Sequence, residues 1–192
     1  MTKENWAEFY KITKERPPSN LLIKALDLVL KKDNAIDIGA GSLKDTVYLL
    51  QEGFDVTAVD KSPLILEESK VINQEKLHVF NSSYEDFDFP KNKFDIASAM
   101  FALPFAQPET FDLVFKKIKN SLNPSGIFCG QFFGIKDEWS SNINMTFHTK
   151  DEIEKLLKNF EIILLNEEEK NDLTAMGKMK HWHIFHVIAK KK

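Results

Sequence analysis

Apolar and polar positions change period several times along the chain, and each change predicts an element. Residues 3–14 (KENWAEFYKITK) carry Trp6, Phe9 and Tyr10 at helical spacing, which predicts a short amphipathic helix broken by Pro17 and Pro18. Ser19 can cap a second helix with Leu21, Leu22, Ala25, Leu26 and Val29 on one side. Asp33 and Asn34 turn the chain into an apolar strand, Ala35 to Ile38. After Gly39, Ala40 and Gly41 comes a helical pattern with Leu43, Val47 and Leu50 inward, then a second strand over residues 54–59. Ser62 and Pro63 open a third helix towards Asn73. Leu77–Phe80 and Phe94–Ala99 read as strands three and four. Pro108 opens a helix with Phe111, Val114, Phe115, Ile118 and Leu122 inward. The turn Asn123-Pro124-Ser125-Gly126 ends it, and Ile127–Phe133 is strand five. Thr149 and Glu152 make a capping box for a last helix to about Asn159. Two β-rich runs, roughly 160–167 and 181–189, close the chain, with a polar stretch from Glu168 to Lys180 between them that is long enough for a mobile loop.

Strands alternating with helices predict a parallel sheet covered on both faces. The closing pair has no crossover helix, so the last strand is expected to run antiparallel to its neighbours. The expected fold is α/β, a Rossmann-like seven-stranded, mostly parallel sheet with an antiparallel last strand, in a single domain over residues 1–192.

Composition narrows the function classes. The chain has 192 residues, 43% hydrophobic and 29% charged, which suits a globular protein with a real core. A formal net charge of −3 gives no global basic field for nucleic acid or anionic lipid. Cys129 is the one cysteine, so no intrachain disulfide can form, and its apolar strand favours a buried, inert thiol. No apolar run approaches the roughly 18 residues of a membrane span. The N-terminus, MTKENWAEFY, lacks a signal-peptide core, and a cytoplasmic protein is expected.

The chemistry concentrates between Ala35 and Asp60. A tight glycine turn follows the first strand and opens a helix, and about 20 residues further on Asp60 ends the second strand. Such a unit can hold a nucleoside: the turn admits a ligand close to the backbone, and the carboxylate can accept both ribose hydroxyls. Taken alone, Asp60 is equally a solvated turn carboxylate or a cap for the next helix. Leu43 stands where a dinucleotide fold has its third glycine, and Asp37, late in the first strand, would repel a pyrophosphate. That anion suits a cofactor carrying ammonium and sulfonium charge, which points to S-adenosylmethionine rather than NAD.

The ordered series DIGAG at 37–41, AVD at 58–60, FD at 94–95 and LNPSG at 122–126, with the closing strand pair, resembles the class I S-adenosylmethionine-dependent methyltransferases over nearly the whole chain. FALPF at 101–105, QFFG at 131–134, MTFHT at 145–149 and KHWHIFHVIAKK at 180–191 resemble the small bacterial tellurite-resistance-like subgroup. The resemblance implies a small-molecule methyltransferase. Gly39, Ala40 and Gly41 would pass beneath the methionine part of the cofactor, and Asp37 would hold its amino group, through water. Asp60 would accept the ribose hydroxyls, with Lys61 beside the adenine. Ser83 and Tyr84 fall at the adenine-facing position, where serine departs from the family's carboxylate. Met100 and Phe101 would line the sulfonium side.

Towards the acceptor, His148 is the candidate general base, with a structural or surface histidine as the alternative. Trp6, Tyr10 and Arg16 are lid or substrate candidates, in N-terminal helices (1–32) expected to cover the cofactor side; Trp6, Phe9 and Tyr10 serve equally as docking residues of a surface helix. Phe101, Leu103, Phe105, Phe132, Phe133 and Trp139 would form an apolar substrate wall. His181 and His183 share one strand face and His186 takes the other, so they form no metal triad, and no metal is expected. An NAD-linked oxidoreductase and a non-catalytic cofactor-fold binding protein stand as alternatives. The chain has no basic patch, and Ala102-Leu103-Pro104-Phe105 stands where a nucleic-acid methyltransferase of this fold would carry an N-P-P-Y-type motif, so no nucleic-acid partner is expected.

Overall fold

The computed structural model describes residues 3–72 and 75–192. Its strands are β1 (Asn34–Ile38), β2 (Asp55–Asp60), β3 (Leu77–Asn81), β4 (Phe94–Ala99), β5 (Leu122–Gly134), β6 (Phe147–His148), β7 (Phe160–Leu173) and β8 (Met179–Lys191). They form one sheet in the order β3-β2-β1-β4-β5-β8-β7, with the two-residue β6 paired to the end of β5. Strands β1 to β5 run parallel, and β8 is antiparallel to both β5 and β7. This is the expected Rossmann-like sheet. Strand order reverses on either side of β1, so the switch point lies between β1 and β4, where such sheets bind ligands.

The helices are α1 (Lys3–Lys14), α2 (Asn20–Leu26), α3 (Lys44–Gln51), α4 (Leu64–Ser69), α5 (Phe111–Ser121) and α6 (Lys150–Leu156). On one face of the sheet, Phe111, Val114, Phe115 and Ile118 of α5 pack with Phe128 and Phe132 of β5 and Phe185 of β8. On the other, Leu21, Leu22, Ala25 and Leu26 of α2 pack with Ile127, Cys129 and Ile188. Burying each such side chain contributes about 1.5–3 kcal/mol, so the two layers hold the strand ends in place.

Several element ends differ from the sequence expectation. α2 stops at Leu26, leaving Val29 in the turn that follows, and α5 starts at Phe111 with Thr110 at its N-cap, since Pro108 belongs to the preceding turn. Ser19 does sit at the N-cap of α2, but its hydroxyl bonds Asp45 at 2.8 Å instead of capping. α4 ends at Ser69, with Lys70 and Val71 in a turn in place of the expected extension, whose end at Asn73 lies outside the described residues. The turn at 123–126 survives as an irregularity inside β5: the register with β4 jumps from Phe94↔Leu122 to Ile96↔Ile127, and Ser125 has φ +64°. Thr149 and Glu152 form the expected capping box on α6, which ends at Leu156.

The largest correction concerns Glu168–Lys180. Instead of a mobile loop, β7 and β8 continue as one antiparallel ladder to Leu173↔Met179, with a short turn beyond. The stretch is polar because most of it stands past the end of β5 pairing and only Lys180, at its end, is buried; cross-strand hydrogen bonds and ion pairs hold the rest.

Candidate functional site

Hydrogen bonding at the switch point fixes the first corner. Gly39 N and Ala40 N both donate to Val59 O, at 2.8 and 3.1 Å, tying the turn after β1 to β2. Gly39 has φ +68°, and a Cβ there would lie 2.5 Å from the Ala102 Cβ, so position 39 has no room for a side chain. Gly41 also has positive φ (+54°), with space for a ligand: a Cβ would meet nothing closer than 3.9 Å. Leu43, the residue in the third-glycine position, takes a left-handed conformation (φ +64°) at the N-cap of α3 and is almost fully buried against Ala58 and Ile65. That backbone costs about 1–2 kcal/mol, and burial of the leucine offsets it.

Two carboxylates flank the turn. Asp60 accepts from Gly41 N at 2.9 Å through one oxygen and from Ser62 N at 2.8 Å through the other, so each oxygen keeps capacity for a further donor. Asp37 is buried and accepts from the Thr46 hydroxyl at 2.7 Å. Burial, reinforced by nearby Asp45, pushes its carboxyl up to about 7 against the Thr46 bond. A cation placed there would return it to the ionised form.

α1 lies across this corner. Tyr10 is buried with its ring against Gly41, and the Thr13 hydroxyl bonds Ser42 Oγ at 3.0 Å. The Tyr10 hydroxyl, beside Asp60 and Ser62 but in hydrogen-bonding geometry with neither, has no partner, and burial pushes its ionisation up. An orphaned buried hydroxyl, two carboxylates and an open glycine fit a polar, positively charged cofactor with ribose hydroxyls. A cleft of about 290 Å³ lined by Arg16, Lys44 and Tyr48 touches none of Asp37, Gly39 or Asp60.

The remaining predicted residues divide into two groups. Lys61 is exposed beside Asp60, Ser83 bonds Asp86 at 2.8 Å, and the buried Tyr84 donates to Ala102 O at 3.0 Å. Met100 is half-buried; Phe101 is exposed, with φ +53°, and its N–H donates to Gln131 Oε1 at 3.0 Å. Trp6 packs edge-on against Phe105 at 6.4 Å, and Phe105 against Phe133 at 6.5 Å, so α1 and the aromatic wall meet. Arg16 reaches away, to Ala175 O in the β7–β8 turn at 3.4 Å. His148 is buried on the α5 face between Phe111 and Phe132, at ring distances of 4.6 and 5.6 Å; its Nδ1 has no partner, and burial pulls its basicity down.

The sequence reading missed a buried ion pair behind the aromatic wall. Lys180 Nζ donates to Asp137 Oδ1 at 2.6 Å and lies 3.7 Å from the Trp182 ring centre and 4.4 Å from that of Trp139. Asp137 also accepts from Trp139 N and His183 N. The one sequence signal was alternation: Lys180 shares strand parity with Trp182 and Ile184. The strand histidines pair with acids across the hairpin, His183 with Glu167 at 2.9 Å and His186 with Glu168 at 3.0 Å. Among the described residues, no helix is long and apolar enough to cross a membrane.

Residues 35–126 match a family described as a methyltransferase domain. An uncharacterized methyltransferase of Synechocystis is 31% identical over 98 residues, covering 48% of this chain and 43% of that protein. TehB from Haemophilus influenzae superposes with a TM-score of 0.73 at 16% identity, over 89% of this chain and 61% of TehB. A Burkholderia thailandensis 1,6-didemethyltoxoflavin-N1-methyltransferase, solved with its substrate and S-adenosylhomocysteine, gives 0.65 at 21% identity over 90% of this chain and 79% of that one. The chain thus spans less than half of the Synechocystis protein and about three-fifths of TehB. The domain match covers just under half of the chain, and the likeness to TehB and to the Burkholderia enzyme is one of fold: residues 35–126 resemble a methyltransferase domain, set in a Rossmann-like sheet that those methyltransferases share.

Proposed function

We propose that the chain transfers a methyl group from S-adenosylmethionine to a small-molecule acceptor by in-line displacement. The observation that carries this reading is the corner itself, a glycine turn with the buried Asp37 late in β1, Asp60 bonded to Gly41 N, and the unpartnered Tyr10 hydroxyl buried beside Asp60. Gly39, Ala40 and Gly41 run beneath the methionine part, with Asp37 towards its ammonium. Asp60 accepts the ribose hydroxyls, with Tyr10 and Trp6 closing from above. Lys61 and Ser83 border the adenine, while Tyr84 supports that loop through its bond to Ala102 O. Met100 and Phe101 face the sulfonium. We read residues 1–192 as one domain, with 1–32 as its cover, and the buried single thiol of Cys129 favours a cytoplasmic enzyme.

The bound cofactor supplies an electrophilic methyl on a positively charged sulfur. The protein's part is to align the acceptor and exclude water. A thiolate, oxyanion or carboxylate acceptor needs no base; an amine or hydroxyl does. His148 has its basicity pulled down by burial and is unpartnered at Nδ1, which suits a proton acceptor, but it lies on the α5 face, away from Phe101 and Trp182. The test is a screen of acceptors with labelled methyl donor, beginning with oxyanions, thiols and small carboxylic acids. Label transfer that Asp60→Ala abolishes supports the reading; a chain that neither binds the donor nor transfers label to any class refutes it.

A further inference from the structure

Phe101 and Trp182 leave open an aromatic groove that the cofactor corner does not use. Phe101, two residues past the end of β4, takes a left-handed conformation (φ +53°) with 42% of its surface exposed. Holding a phenylalanine there costs on the order of 1–3 kcal/mol, and such strain persists only where the surroundings enforce it. Here the buried Gln131 does so, accepting the Phe101 N–H at 3.0 Å. The ring is presented towards Trp182, at 6.2 Å between centroids. Trp182 is itself fixed, by its Nε1–H bond to Asp172 O at 3.2 Å and by the Lys180 ammonium 3.7 Å from its ring centre.

Between these rings and Ile184 lies a groove of about 180 Å³, rimmed by Glu168, Lys170 and His186. Register explains the grouping: Lys170 pairs with Trp182 and Glu168 with Ile184, so their side chains stand on one face of the hairpin. The rim is acidic on balance. Asp172 and Glu168 face a single Lys170, which bridges both at 3.3 and 3.1 Å, and His186 bonds the second oxygen of Glu168 at 3.0 Å. The two rings meet edge to face at 66°, so a flat ring would stack on one exposed aromatic face, and the volume suits one fused bicycle. A carboxylate rim favours a cation or an N–H donor over an anion.

Resting on the methyltransferase reading, we propose that this groove is the acceptor subsite and that it takes a planar, nitrogen-bearing ring compound with a cationic or N–H-donating group directed to Glu168. Phe101 joins it to the cofactor corner, being the shared wall.

The experiment titrates the full chain, saturated with S-adenosylhomocysteine, with tryptamine, indole and indole-3-acetate by calorimetry, after the affinity for S-adenosylhomocysteine itself has been measured. Tryptamine is expected to bind most tightly and indole-3-acetate least. Glu168→Gln should reduce tryptamine affinity by about tenfold, the effect of one charge-assisted hydrogen bond, and leave affinities for indole and for S-adenosylhomocysteine unchanged. Intact cofactor binding with no tryptamine binding, or with tryptamine and indole-3-acetate bound equally, overturns the groove and leaves the methyltransferase reading standing. Tryptamine binding that Glu168→Gln does not alter overturns the role of the carboxylate. Failure of the wild-type chain to bind S-adenosylhomocysteine overturns the methyltransferase reading, and with it the acceptor role of the groove.

Discussion

Replacing Lys180 by methionine would remove a buried ammonium while keeping most of the side chain's bulk. In the wild type the Lys180 and Asp137 side chains are 1% and 0% exposed, and Lys180 bonds Asp137 Oδ1 at 2.6 Å. Burial pulls the Lys180 ionisation down, opposed by Asp137 beside it. Without Lys180 the Asp137 carboxylate keeps only the backbone donors Trp139 N at 3.0 Å and His183 N at 3.2 Å, and its charge stays buried. Breaking such a pair by removing one partner costs about 3–5 kcal/mol. In a chain of this size 1 kcal/mol moves the melting point by about 2–4 °C, so Lys180→Met should melt roughly 10 °C lower. Asp137→Leu with Lys180→Met should recover most of that loss, because replacing both charges by apolar groups is near neutral. Thermal unfolding followed by the near-ultraviolet signal of Trp139 and Trp182 reads both outcomes. A single variant within about 2 °C of wild type, or a double variant no better than the single, would refute the reasoning.

Two further outcomes follow from the corner of the site. Asp37 stays protonated in the folded chain up to about pH 7, whereas the unfolded chain ionises it near 3.8, so the folded state holds the extra proton between these values. Stability without cofactor should therefore fall as pH rises from about 4 to about 7, and Asp37→Asn should flatten that slope in denaturant titrations at stepped pH. The cofactor ammonium favours ionised Asp37, so binding at pH 6 should release a proton, seen as a binding heat that changes with buffer ionisation enthalpy; buffer-independent heats would contradict this. Gly39→Ala must fit a Cβ 2.5 Å from that of Ala102 at φ +68°, and should destabilise the fold by about 1–3 kcal/mol in urea unfolding; an unchanged midpoint would mean the turn can relax.

The β1–α3–β2 unit was legible because its signals are local: an apolar strand, glycines at the corner and an acid at the next strand end, although α3 buries Thr46 and Leu49 more fully than the expected Val47 and Leu50. The Thr149 capping box was legible for the same reason. Glu168–Lys180 was misread because a ladder that buries only Lys180 has no hydrophobic alternation to show. The Asp137–Lys180 pair joins residues 43 apart in sequence, and no local pattern links them. Phe101 was read as a wall residue, but its strained backbone depends on Gln131, 30 positions away on the neighbouring strand. Likewise the unpartnered Tyr10 hydroxyl becomes visible only once α1 is seen lying on Gly41.

The most direct test of the whole account is calorimetric titration of the chain with S-adenosylmethionine, in parallel with Asp60→Ala. The account predicts saturable binding at one site, with affinity in Asp60→Ala weakened by at least about tenfold through loss of the carboxylate proposed to accept the ribose hydroxyls. Absence of binding at millimolar cofactor, or equal affinity in the two proteins, would contradict it.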